Sequence, residues 1–166
     1  QHHKITHSPA HVDAAAEAAK AAGLRMLLAR GWVDVGDAGE APEAIISAMT
    51  SLHERWHGAA EGRITVGFGP LAPWRCSDET MRRTVALARQ WGLPTHLHVA
   101  EAEDEIDMLR RRTGLRHVEW LHALDALGPD IQLVHSVWLD DHELDLVAAS
   151  GAIVIHCPVS NMYLAS

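Results

Sequence analysis

From about residue 24 to residue 160 the chain alternates short apolar or β-branched runs with longer stretches of helical period, and this alternation restricts the fold more than any other feature. Five runs read as strands: "LRMLLARG", "RITVGFGPL", "LPTHLHVAE", "IQLVHSV" and "AIVIHCPVS". The segments between them read as helices. In "PEAIISAMTSLHERWH" the residues Ile45, Met49, Leu52 and Trp56 recur at spacings of three and four, one face of a helix. Ser77 is placed to cap "DETMRRTVALARQWG", which Gly92 ends. Further helices are predicted in "EDEIDMLRRRTG", around "HVEWLHALDALG" and in "DDHELDLVAASG", and an alanine-rich one over residues 10–22 precedes the first run. The stretch "WVDVGDAGEA" reads as a loop. Strands separated by helices of this length imply right-handed βαβ units and a parallel sheet. Runs such as "RMLL" and "AIVI", apolar on both faces, suit strands covered by helices.

Size and charge narrow the class. A chain of 166 residues can hold one domain with a sizeable core. A formal charge of −8 argues against nucleic acid and anionic membranes as partners. The one basic cluster, Arg110 to Arg112, follows Glu103, Asp104, Glu105 and Asp107 and reads as a solvated helix face. No apolar run approaches the length needed to cross a bilayer. The opening "QHHKITHSPAH" has neither an initiating methionine nor a secretory signal's apolar centre. Cys76 and Cys157 stand far apart, which fits a reducing, cytoplasmic setting and supports neither a disulfide framework nor a Cys-based metal site.

Histidine is over-represented, with 13 residues, and His is the commonest metal ligand. The informative ones close predicted strands: His98, His135 and His156. In parallel α/β folds, ligand and catalytic groups gather at that end of the sheet. On the strand carrying "THLHVAE", His96 and His98 share a face. Glu101 has the opposite parity, so it reaches the histidines' cavity only if the strand turns at Val99-Ala100. A His ligand with a carboxylate near the metal's water suits hydrolysis, because the metal acidifies the water and the carboxylate moves protons.

Three longer stretches, "THLHVAEAEDEI", "LVHSVWLDDHELDLVAASG" and "VIHCPVSNMYLAS", with "GFGPLAPWRCSDE" upstream, resemble the metal-dependent amidohydrolase superfamily. The likeness is to its branch of cytosine, guanine and adenosine-type deaminases and triazine hydrolases. The resemblance implies an α/β fold, a (β/α)8 TIM-like barrel holding one divalent metal, zinc or iron, in its C-terminal mouth. It implies His98 as the metal ligand of the fifth strand and Glu101 as the proton shuttle. His135 is similar to the sixth-strand histidine that holds the attacking hydroxide or the tetrahedral intermediate. His156 matches the seventh-strand position, with a structural or substrate-shaping role, and Ser160 and Asn161 would order the same loop. The resemblance also implies a small heterocyclic substrate and a homo-oligomer.

The departures from that pattern are specific. The H-x-H pair after the first strand and the aspartate after the eighth are not identifiable, and His2-His3 would face opposite ways where the second strand should end. Residues 1–166 are therefore expected to form one partial barrel domain, about strands three to seven of eight, truncated at both ends. Trp74 and Trp32 either wall a flat heterocycle or pack between strand ends and helices. Arg30 either meets a polar substrate atom or, as expected, pairs with Asp34 or Asp37. The activity implied is hydrolytic deamination of a purine, pterin, pyrimidine or triazine. A dechlorinating or dealkylaminating hydrolase and a non-catalytic fragment or pseudo-enzyme are the alternatives. A cysteine hydrolase is disfavoured, since His156 and Cys157 are neighbours on a strand and point opposite ways.

Overall fold

A computed structural model describes residues 2–3 and 9–164. The elements run β1 (His2–His3), α1 (Pro9–Ala21), β2 (Met26–Trp32), α2 (Pro42–Trp56), a single turn α3 (Ala59–Gly62) and β3 (Ile64–Pro70). After the 3-10 turn at Pro73–Arg75 come α4 (Asp78–Gln90), β4 (Thr95–Val99), α5 (Glu103–Thr113) and α6 (His117–Ala123). The chain continues through β5 (Ile131–His135), α7 (Asp141–Ser150), β6 (Ile153–Ile155) and α8 (Pro158–Leu164). The strands form one parallel sheet in sequence order, β1 to β6. This is an open arc of a (β/α)8 barrel.

The five predicted strands are all present. Two differences have local causes. The two-residue β1 pairs with Ala29 and Arg30 and adds a sixth strand; the facing of the His2 and His3 side chains lies outside the described residues. The run "AIVIHCPVS" ends as a strand at Ile155, and α8 begins at Pro158. Proline favours the first position of a helix, because its missing N–H has no partner to lose there.

The helices cover one side of the sheet. On β4, Thr95, Leu97 and Val99 are buried while His96 and His98 are half-buried, so the alternate residues face the barrel interior. Leu97 and Val99 pack with Met81 and Val85 of α4 and with Ile106 and Leu109 of α5. A second cluster joins Leu28, Ile64, Val66 and Phe68 of β2 and β3 to Met49, Leu52 and Trp56 of α2. The predicted stripe on α2 is the buried one: Ile45, Met49, Leu52 and Trp56 are 0, 0, 2 and 8% exposed. Where β3 meets the chain leading into β4, a Cβ on Gly67 would stand 2.8 Å from the Pro94 carbonyl oxygen, so only glycine allows the approach.

At the β6 edge the packing is thinner. Ile153 and Val154 are 50% and 46% exposed, as the last strand of an open arc must be. No helix among the described residues is long and apolar enough to cross a membrane.

Behind the sheet lies a buried charge network. Glu143 of α7 is fully buried and accepts from Arg116 Nε at 2.7 Å, from the Val118 amide at 2.8 Å and from the Asp140 amide at 3.3 Å. Arg116 also meets Asp140 at 2.9 Å. Removing one partner of such a network strands the others without water, so Glu143→Ala is expected to cost about 3 kcal/mol or more in denaturant unfolding. A loss under about 1 kcal/mol would show that water or repacking replaces the carboxylate.

Candidate active site

His98 comes first, because the strand places it. Its Nδ1 lies 3.0 Å from the Leu71 carbonyl oxygen, which can only accept, so Nδ1 carries the proton and the lone pair is on Nε2. That second bond is the arrangement by which proteins orient a metal-binding imidazole. Burial, the largest influence, pushes the His98 pKa below the ordinary imidazole value and favours the neutral ligand form. His96, on the same face, is held by Gln132 of β5 at 2.9 Å, and burial lowers its pKa too.

The strand then turns. Ala100 adopts φ +49°, a left-handed conformation costly for a residue with a side chain, and the chain direction changes before Glu101. Regular alternation would send Glu101 to the helical side. Instead Glu101 Oε1 lies 3.3 Å from His135 Nε2. His135 uses the same device, with φ +71° at His135 and +55° at Ser136. Its ring stacks near that of His98, with centroids 5.3 Å apart. The two turns are laced together: the Ser136 amide donates to the Val99 carbonyl, and the Val137 and Trp138 amides to the Ala100 carbonyl.

Asn161 fixes the far side of His135. Its Oδ1 lies 2.7 Å from His135 Nδ1, and its side chain is buried. It stands on α8, not in the loop that the sequence suggested; Ser160, beside it, is exposed. His156 is exposed and lines, with His135, Asn161 and Met162, an open cleft of about 500 Å³ at the β5–β6 end.

Arg30, Trp32 and Trp74 are placed by pairing and packing. Arg30 follows Leu28 on the helical face of β2 and pairs with Glu40 at 2.5 Å, both side chains nearly buried. The ion pair is thus with Glu40 and not with the expected Asp34 or Asp37. Asp34 instead accepts from the Ser77 amide at 2.7 Å and from the Ser77 hydroxyl, tying the β2 loop to the start of α4. Trp32 is fully buried in the core and cannot wall a ligand. Trp74 packs, half-buried, against the same core, the second of its two readings. Cys76 is buried, and burial drives its thiol pKa upward, so it has no nucleophilic role.

One contributor was not singled out from the sequence. His117 opens α6 and is completely buried, its Nδ1 accepting the Ala100 amide at 2.9 Å and its Nε2 donating to the Glu105 carbonyl at 3.0 Å. Its only sequence signal is a polar residue beginning the apolar stretch "HVEWL".

Among the described residues no group of three or more His, Cys, Asp or Glu side chains converges to hold a metal. The described residues fit one ligand position, His98, with a carboxylate and a second imidazole beside it. His98, Glu101 and His135 thus meet at the C-terminal strand ends of a parallel barrel arc, the end at which such folds gather ligand and catalytic groups.

The chain belongs to the amidohydrolase family, whose family model matches residues 1–166. It is 39% identical over 155 residues to the 5'-deoxyadenosine deaminase of Methanopyrus kandleri, covering 93% of this chain and 36% of the relative. A zinc-bound adenosine deaminase from Xanthomonas campestris superposes with a TM-score of 0.83 at 29% identity, over 93% of this chain and 35% of the other. A triazine hydrolase variant superposes with a TM-score of 0.91 over 99% of this chain and 39% of the other; at 17% identity that likeness is one of fold. The chain thus spans little more than a third of the length of the curated relatives it matches.

Proposed function

We propose that this chain carries the fifth- to seventh-strand part of the active site of a metal-dependent hydrolytic deaminase acting on the amino group of an adenine nucleoside. The observation that carries the reading is the meeting of Glu101 and His135 at 3.3 Å beside His98, brought about by two left-handed turns. Strained turns of this kind concentrate at functional sites, where the surrounding structure holds them. The substrate class is supported by the relatives, named for 5'-deoxyadenosine and adenosine.

A divalent metal held with the help of His98 Nε2 supplies, when bound, an acidified water. The reaction adds water at the ring carbon that bears the amino group: a C–O bond forms, the C–N bond breaks, and ammonia leaves. Glu101 takes the proton from the attacking water, gives it to the adjacent ring nitrogen and assists its passage to the departing amine. His135, its Nδ1 held at Asn161 Oδ1, keeps Nε2 3.3 Å from that carboxylate, and with both ring nitrogens protonated it donates from Nε2 to the carboxylate and to the oxygen that attacks. Its part is to hold the oxygen in line and stabilise the tetrahedral adduct.

The test is product analysis with a metal-loaded, full-length enzyme that carries this chain, offered 5'-deoxyadenosine, adenosine, guanine and a chlorotriazine. The expected result is one ammonia per nucleoside consumed. Chloride release from the triazine, with no ammonia from any amino heterocycle, would replace deamination by dechlorination.

A further inference from the structure

Three helices that start behind the mouth carry glutamate at their third position: Glu105 of α5, Glu119 of α6 and Glu143 of α7. In an ordinary capping box that side chain reaches back to the amide of the residue capping its own helix. Glu119 does so, accepting from the Arg116 amide at 2.8 Å, and Glu143 does so at the Asp140 amide at 3.3 Å. Glu105 reaches one residue further: its Oε2 accepts the amide of Glu101, which precedes the capping residue Ala102, at 3.1 Å. The Ala100 amide, one residue earlier, is taken by His117 Nδ1, and His117 Nε2 returns to the Glu105 carbonyl. Two side chains from two helices thus hold consecutive amides of one strained turn, and they are joined to each other.

We infer that Glu105 and His117 are positioning residues that clamp the Ala100–Glu101 turn from behind the sheet and set where the Glu101 carboxylate stands. The inference rests on the reading of Glu101 as proton carrier. A left-handed alanine relaxes unless its neighbours fix it, and relaxation would return Glu101 toward the helical side that strand alternation assigns it. The cost of the clamp is visible in its members. His117 is wholly buried, and burial raises the Glu105 pKa, with the Trp74 indole and the Glu101 amide working against that rise.

The experiment compares Glu105→Leu, Glu105→Gln, Leu109→Ala and Glu101→Gln in the full-length, metal-loaded enzyme. It reads kcat and KM separately, together with backbone amide exchange over residues 99–102. Glu105→Leu removes the acceptor and is expected to lower kcat about a hundredfold with KM little changed, since misplacement of about 1 Å costs that much. Exchange at the Ala100–Glu101 turn should quicken. Glu105→Gln keeps an acceptor oxygen and should restore most of kcat and slow exchange again. Leu109→Ala damages the core of the same helix and should lower the melting temperature without slowing turnover below that temperature. The inference is overturned if Glu105→Leu leaves exchange and kcat unchanged, or if Leu109→Ala lowers kcat as much. Full activity in Glu101→Gln would overturn the proton-carrier reading alone, because the exchange comparison still decides whether the clamp exists.

Discussion

Glu101→Gln, made in a full-length enzyme carrying this chain, is expected to lower kcat about a thousandfold while KM changes little. The amide keeps the size of the carboxylate but can neither take a proton from the attacking water nor return it to the leaving amine. Proton transfer by a placed side chain ordinarily contributes between about a hundred and ten thousandfold, so a loss near the middle of that range is the natural size. Because Glu101 is not the ligand of the proposal, metal content should be unaffected. A tenfold drop or less, with metal retained, would show that another group carries the proton and would leave the 3.3 Å contact with His135 without a catalytic reason.

The second large effect concerns pH. His117 is pushed down to about 4, chiefly by burial, with the neighbouring Arg116 adding to the fall and the bond to the Glu105 carbonyl opposing it. An imidazole that binds its proton less readily folded than unfolded makes folding more favourable as pH rises. Its contribution is complete above the unfolded value near 6.5 and is lost as pH falls toward the folded value. Between about pH 7 and pH 4.5 this one residue should account for a loss of roughly 2 kcal/mol of unfolding free energy. Urea unfolding at both pH values checks it, with His117→Asn as control. That variant keeps an acceptor near the Ala100 amide but cannot titrate, so its stability should fall less with acid than that of the unsubstituted protein. Equal acid sensitivity of the two would show that His117 is not held neutral.

The sequence disclosed most of the sheet and part of the mouth, and the reason differs from element to element. The strand–helix alternation was legible because each apolar run is short and bounded by glycine, proline or a cap, as at Ser77, whose hydroxyl accepts the Thr80 amide at 3.3 Å. His98 was legible from period two. That Glu101 needed a turn was legible as well, but the turn itself was not: nothing in "VAEAE" announces a left-handed alanine, because its cause lies in His117 and Glu105, far along the chain or on another helix. Arg30 was misread for a simpler reason. In a strand apolar on both faces, parity is hidden, and its partner Glu40 is ten residues away, beyond the nearer Asp34 and Asp37. Asn161 was grouped with the loop at His156, whereas Pro158 starts a helix that carries it to His135 Nδ1 at 2.7 Å.

The most direct test of the central claim is elemental analysis of the full-length protein before and after His98→Ala, with His96→Ala as the control on the same strand face. The account predicts about one equivalent of divalent metal per chain in the unsubstituted protein and in His96→Ala. It predicts loss of that metal, together with loss of ammonia release, in His98→Ala. Retention of metal and turnover by His98→Ala would contradict it, because the Nε2 that the Leu71 carbonyl orients toward the barrel interior would then have no part in holding the ion.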